Sequence, residues 1–261
     1  LHPGKKGAAL SDVDPHPFKV GITSFATHGG SGIVATELGL ALAARGHEVH
    51  FISNAVPVRL KEFRPNVFFH EVQTVHYPVF PHAPYTLALA TKMTEVARYH
   101  ELDLLHVHYA IPHAASAYLA RQMLAPTSLR FITTLHGTDI TLVGQEPGFW
   151  PLTKFVIEES AAVTAVSDFL EGETRRVFQV ERPIRVIPNF VDTEHFRPRP
   201  ELRRANPLCP HGEEKVLLHA SNFRPVKNVE TVVRVFERVG REVPCRLVLV
   251  GDGPERVVAE R

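Results

Sequence analysis

Residues 18–52 read FKVGITSFATHGGSGIVATELGLALAARGHEVHFI, and this stretch constrains the fold more than any other part of the chain. A β-rich run ends in the loop Gly29-Gly30-Ser31-Gly32. An Ala- and Leu-rich run then predicts a helix over 33–45, which Arg45-Gly46 stops, and a second strand is predicted over 48–52. Strand, tight loop, helix and strand in that order make a βαβ unit.

Gly30, Gly32 and Ala35 also satisfy the spacing G-x-G-x-x-[GA], in which glycines let backbone amides and a helix N-terminus approach a diphosphate. A nicotinamide site further needs an acid about 20 residues on, at the end of the second strand, to hold the ribose hydroxyls. Here that strand runs into Ile52-Ser53-Asn54, which argues against hydride transfer with NAD. The bland alternative, that these glycines only let helix pack on strand, stays open at this point.

A chain of 261 residues exceeds the usual single domain, so two domains, or one and part of another, are expected. The net charge of +1 is too balanced to attract nucleic acid or a membrane by bulk electrostatics, so any anion site is local. Cys209 and Cys245 form no C-x-x-C pattern, and no apolar run reaches the length of a membrane span. Both point to a cytoplasmic protein without stable membrane association. Residues 1–17 lack apolar periodicity and read as a flexible lead-in. At the other end a helical run over 255–261 follows Gly251-Asp252-Gly253-Pro254 and suggests that the natural chain continues.

Beyond the opening unit, strands are predicted at 67–72, 102–108, 130–135, 162–166 and 184–187, and helices at 86–99, from Pro112 to about Met123, at 151–160 and at 168–178. A proline-, histidine- and aromatic-rich loop spans 76–85. Residues 198–214 carry four prolines and no periodicity, which marks a linker. A second α/β unit follows, with strands at 215–220 and 245–250 around a helix at 228–239. The expected architecture is α/β: an N-terminal doubly wound domain over 18–197, the linker over 198–214, and the start of a second Rossmann-like domain over 215–261 facing the first across a cleft.

Three groups of residues carry candidate chemistry. His106, His108 and His113 cluster in HVHYAIPH, yet no cysteine or carboxylate stands at ligand spacing. A hydrogen-bonded core histidine is the ordinary explanation for His106, so no metal site is expected. His136 closes a strand beside Gly137, where open α/β sheets place ligand loops; Thr138 and Asp139 read as local caps. Arg224 and Lys227 lie between a strand and a helix N-terminus, a combination that suits a phosphate or diphosphate, although a solvated basic loop is commoner.

Taken in order, GGSG, HVHYAIPHA, TTLHGTDIT, VIPNFVD, SNFRPVKN and LVGDGP resemble the GT-B retaining glycosyltransferases of family 4. More narrowly, the pattern is similar to the branch that moves GlcNAc from UDP-GlcNAc to the hydroxyl of L-malate, the first step of bacillithiol biosynthesis. The resemblance runs from about Lys19 to the last residue. It implies that Arg224 and Lys227 neutralise the UDP diphosphate, that His136 contacts the donor sugar, and that Gly251 and Gly253 lie on the donor side. It further implies that Ser31, Tyr109 and Thr134 hold the malate carboxylates with amides of Gly30 and Gly32, and that Gly29 and Gly30 lie near donor phosphate and acceptor. UDP-GlcNAc and malate are then the small-molecule partners, with no metal or other cofactor, no nucleic acid, and a homo-oligomer left open.

One departure stands out. The family's glutamate pair, E-x7-E, belongs to the second domain, and the chain stops before reaching it. Glu173 and Glu181 have that spacing but lie in the first domain, by coincidence. Arg224 and Lys227 stand three apart, closer than in most of the family and similar to the malate-using branch. The alternatives are another family 4 transferase with a different sugar or acceptor, or a truncated, non-catalytic ligand-binding fragment.

Overall fold

The computed structural model describes residues 16–26, 29–74, 79, 82–200 and 215–260. Two compact units divide between Phe190 and Val191. The predicted linker lies mostly outside the described residues, Cys209 with it, as does half of the 76–85 loop.

The first unit is a seven-stranded sheet, every pairing parallel. Its strands are β1 (Lys19–Thr23), β2 (Glu48–Ser53), β3 (Val67–Glu71), β4 (Leu104–His108), β5 (Arg130–Leu135), β6 (Ala162–Ala165) and β7 (Ile184–Val186), in the order β3-β2-β1-β4-β5-β6-β7. The helices are α1 (Gly30–Ala44), α2 (Tyr85–His100), α3 (Ala115–Met123), the short α4 (Thr138–Thr141), α5 (Trp150–Glu159) and α6 (Asp168–Phe178). Alternation along the strands divides the core. Val20, Ile22, Val49 and Phe51 pack with Ala35 and Ala43 of α1, whereas Ile52, Leu105, Val107 and Phe131 join Leu89, Met93, Ala117, Val156 and Phe178 of the other helices. Gly39 has no room for a side chain: a Cβ there would stand 2.4 Å from the Phe51 ring.

Local chemistry sets the ends of the elements. Ser167 accepts a hydrogen bond from the Leu170 N–H at 3.2 Å, with Asp168 and Glu171 in the first turn of α6 and Arg175 and Arg176 in its last. Gly46 leaves α1 at φ +92°, and Glu101 leaves α2 in the left-handed region.

Two predictions needed correction. Helix α1 opens at Gly30, not residue 33, so the glycine run is itself the first turn of the helix. Pro112 does not open a regular helix: residues Ala110–Ala114 form a π-helical turn with Ile111 extended, and α3 begins at Ala115. Tyr109 just before it sits at φ +91°, which no periodicity argument anticipates.

In the second unit β8 (Lys215–Ala220) pairs in parallel with β9 (Cys245–Val250), and α7 (Val229–Gly240) lies between them in sequence. A single turn of 3-10 helix, Pro225–Lys227, precedes α7, and α8 (Arg256–Glu260) follows β9.

Candidate active site

The strand order reverses between β1 and β4, and ligands of open α/β sheets bind outside the carboxyl ends of strands at such a point. Three loops therefore share one edge: the one leaving β1 toward Gly29, the one leaving β4 at Tyr109, and the one leaving β5 at His136. Gly29 is the N-cap of α1, and the amides of Gly30, Ser31 and Gly32 form the helix's first turn. N–H groups in a first turn have no intrahelical acceptor and carry the positive end of the helix dipole. Ser31 is half-buried there and Gly32 buried.

Tyr109 is fixed by the neighbouring strand, its N–H donating to the Thr134 carbonyl at 2.9 Å. Its ring meets Phe25 of the β1 loop edge-on at 5.3 Å and His136 at 5.4 Å. Phe25 also packs on His113 at 4.5 Å, so one aromatic cluster joins all three loops. Asp139 joins two of them through the backbone. Its Oδ1 accepts from Gly137 N at 3.0 Å and His136 N at 3.3 Å, and its Oδ2 accepts from Ala110 N at 3.0 Å. The local cap that the sequence suggested is thus also a tie across 29 positions. Gly137, at φ +124°, takes a conformation that suits glycine alone.

The face of the sheet below carries a row of imidazoles. His106 stacks on His108 at 4.9 Å, and His108 on His136 at 5.0 Å. His108 Nδ1 and His136 Nε2 share one proton at 2.8 Å, and His113 Nδ1 donates to the His108 carbonyl at 2.5 Å. Burial pushes His106, His113 and His136 down to about 4, and holds His108 well below its ordinary value, with neighbouring histidines adding to the effect there. All four are neutral at pH 7. His136 is therefore a polar, uncharged group that keeps Nδ1 outside its bond to His108. Thr134, predicted to face an acceptor, has its hydroxyl 2.7 Å from both His106 Nε2 and Thr164 Oγ1. When both of these donate, the Thr134 proton is left for a ligand.

Among the described residues, four buried side-chain atoms lack a hydrogen-bond partner: Thr23 Oγ1, Tyr85 Oη, His108 Nε2 and His113 Nε2. Thr23 ends β1, His108 ends β4, and the Tyr85 and His113 rings lie 6.3 Å apart. Buried polar atoms are almost always satisfied, so their concentration at this edge marks it as a place for polar ligand or water.

In the second unit Arg224 precedes the 3-10 turn and Lys227 ends it; both are exposed and pair with no acid among the described residues. Gly251 and Gly253 have a packing role: at φ +134° and +154°, a Cβ on them would stand 1.8 Å from Ser221 O and 2.2 Å from Asn222 O. These glycines let their loop close on the one that carries Arg224 and Lys227. Glu173 pairs with Arg176 on α6, consistent with a surface role. Ser53 is buried and donates to the Ala55 carbonyl at 2.7 Å.

Among the described residues, His106, His108 and His113 do not converge on one point, whereas His50, His70 and His100 do. Sequence reading passed over that group, along with Phe25, because its members lie on separate elements. The only local hint was that His50 and His70 both sit inside predicted strands. No helix among the described residues is long and apolar enough to cross a membrane.

Residues 28–195 match the profile of Glycosyltransferase Family 4. The chain belongs to this family. A relative from Bacillus anthracis, the N-acetyl-alpha-D-glucosaminyl L-malate synthase, is 49% identical over 237 residues, which cover 91% of this chain and 62% of that protein. Among solved structures, a glycosyltransferase from Rickettsia africae superposes with a TM-score of 0.71 at 19% identity, covering 94% of this chain and 63% of that one. A sucrose-phosphate synthase from Thermosynechococcus elongatus gives 0.66 at 21%, covering 92% and 64%. These likenesses give family 4 membership and the GT-B fold, and the chain spans less than two thirds of the length of these proteins.

Proposed function

We propose that the protein is a retaining glycosyltransferase that moves GlcNAc from UDP-GlcNAc to the hydroxyl of L-malate. The observation that carries this reading is the 49% identity over 91% of the chain to the Bacillus anthracis synthase. The site chemistry is compatible with it. Malate is a small dianion, and an α1 first turn of glycine and serine offers amides and a hydroxyl to carboxylates. In this reading Ser31, Tyr109 and Thr134 meet the acceptor, with Gly30 and Gly32, and Gly29 lies near donor phosphate. His136, neutral at pH 7, donates or accepts a hydrogen bond at the sugar and does not neutralise charge.

The departing diphosphate needs charge stabilisation, which we assign to Arg224 and Lys227, with Gly251 and Gly253 shaping their loop. No carboxylate at glycosidase spacing is used as a nucleophile. Retention then follows if the acceptor attacks the face from which UDP leaves, the departing phosphate oxygen taking the malate hydroxyl proton. The anomeric C–O bond to phosphate breaks as the bond to malate forms, without a metal.

The test is turnover by the whole polypeptide that carries this sequence, followed as UDP release with UDP-GlcNAc and L-malate, with product configuration read by NMR. A fixed donor aimed at developing charge is worth about 3–4 kcal/mol, so Arg224→Ala and Lys227→Ala should each lower kcat by roughly a hundredfold or more. No turnover with this pair of substrates, or near-unchanged kcat in both variants, overturns the proposal.

A further inference from the structure

We propose that His50, His70 and His100 form a binding site for one divalent transition-metal ion, with zinc as the ion their ligand chemistry suits. The three imidazoles come from three elements: His50 from the middle of β2, His70 from β3 and His100 from the last residue of α2. One ligand nitrogen from each lies within 4.8 Å of the others, and His50 Nδ1 stands 2.9 Å from His70 Nε2. A tetrahedral ion with metal–nitrogen bonds of about 2.0–2.1 Å holds its ligand nitrogens roughly 3.3 Å apart. The observed spacing brackets that value, and small rotations of the half-buried His70 and His100 rings reach it.

Glu48 makes the group more than a chance cluster. Its Oε1 lies 2.9 Å from His50 Nε2, so that nitrogen carries the proton and Nδ1 presents its lone pair toward His70. A carboxylate holding the far nitrogen of a ligating histidine is the ordinary outer support of a metal-bound imidazole. His50 itself is fully buried and its ring is fixed by stacking on Phe68 at 4.8 Å and by contact with His100 at 4.3 Å. His70 and His100 are partly exposed, which gives an ion a route in from solvent. Surrounding charges balance, with Lys19 and Lys92 against Glu48 and Glu95. Three imidazoles favour zinc, cobalt, nickel or copper over magnesium or calcium, and water completes the fourth position.

This group lies at the β3–β2 edge of the sheet, to one side of the β1–β4 switch point. Lys19, the first residue of β1, donates from Nζ to the His100 carbonyl at 3.0 Å, which puts the last residue of α2 by the amino end of β1, and His50 sits in the middle of β2, whereas Gly30, Tyr109 and His136 follow the carboxyl ends of β1, β4 and β5. An ion here would clamp the edge strand β3 to β2 and α2, and would take no part in group transfer.

The experiment is titration of the untagged protein with Zn²⁺ by calorimetry and with Co²⁺ by visible absorption. One equivalent should bind with micromolar or tighter affinity and give the intense visible bands of tetrahedral cobalt. His70→Gln and His100→Gln should each weaken Zn²⁺ binding at least tenfold, and Glu48→Gln by roughly tenfold or more. His195→Gln, at an exposed position, should leave it unchanged. If a variant does not fold, zinc X-ray absorption of the wild-type protein decides: three imidazole nitrogens at about 2.0–2.1 Å are required. No binding at millimolar zinc, affinity unchanged in both histidine variants, or fewer than three imidazole ligands overturns the proposal.

Discussion

Lowering the pH from 7.5 to 5.5 should weaken the first unit by about 2–3 kcal/mol, because its imidazole row is built to be neutral. His113 sets the scale. It is fully buried, its Nδ1 donates to the His108 carbonyl, and its Nε2 has no partner, so a second proton would be stranded in the core. Its titration is held down from 6.5 to about 4. At pH 5.5 the unfolded chain has bound that proton and the native state has not, and the difference is about 1.4 kcal/mol, against roughly 0.1 kcal/mol at pH 7.5. Because the unfolded state binds more protons in this window, stability rises with pH, and the loss grows as pH falls from above 6.5 toward 4. His106 and His136 share the direction and the value of about 4, and their partial exposure makes each worth less than His113. Asp139 acts oppositely: burial raises its carboxyl, so acid favours its native form and offsets part of the loss.

Urea unfolding followed by Trp150 fluorescence reads this unit. Trp150 is the single tryptophan, stacked on Phe178 with its Nε1–H donating to the Val177 carbonyl. With a denaturant slope of about 3 kcal/mol per molar, the midpoint should fall by roughly 1 M between pH 7.5 and 5.5. His113→Asn keeps a donor toward the His108 carbonyl and cannot titrate, so the pH-dependent loss should shrink by about 1.3 kcal/mol. A midpoint independent of pH, or a loss of equal size in the variant, would refute the reasoning.

Asp139→Ala leaves three backbone N–H groups without their acceptor and should cost about 3–5 kcal/mol in urea unfolding, with Asp139→Asn costing less; a loss under about 1 kcal/mol would contradict the tie between the two loops. Gly137→Ala forces a side chain onto φ +124°, and thermal unfolding should register about 1–3 kcal/mol of destabilisation; a neutral result would mean that the turn relaxes. In steady-state kinetics Ser31→Ala should raise the KM for malate by roughly ten- to a hundredfold, the worth of one hydrogen bond to a charged group, and leave the KM for UDP-GlcNAc nearly unchanged; equal rises in both would remove Ser31 from the acceptor side.

What the sequence determined by itself was the part governed by local physics. Period-2 and period-3.6 patterns placed β5 and α6 at their observed ends, and the run from Phe18 to Ile52 announced the parallel sheet, because apolar spacing and glycine punctuation act over a few residues. The order TTLHGTDIT and SNFRPVKN carried the family for the same reason, being contiguous. Ends that depend on strained backbone were less legible. Tyr109 at φ +91° and the π-helical turn after it displaced the start of α3, and Gly30 entered the helix where composition suggested a loop.

The tertiary structure decided which distant groups meet. Asp139 reaches Ala110, and His108 reaches His136, only because β4 and β5 are neighbours in the sheet. The neutrality of His113 comes from desolvation that no neighbour in sequence supplies. His50, His70 and His100 likewise converge through the pairing of β2 with β3 beneath the end of α2. Patterning along a chain fixes which face a residue takes. Proximity, burial and proton affinity depend on strand order, which is a property of the whole sheet.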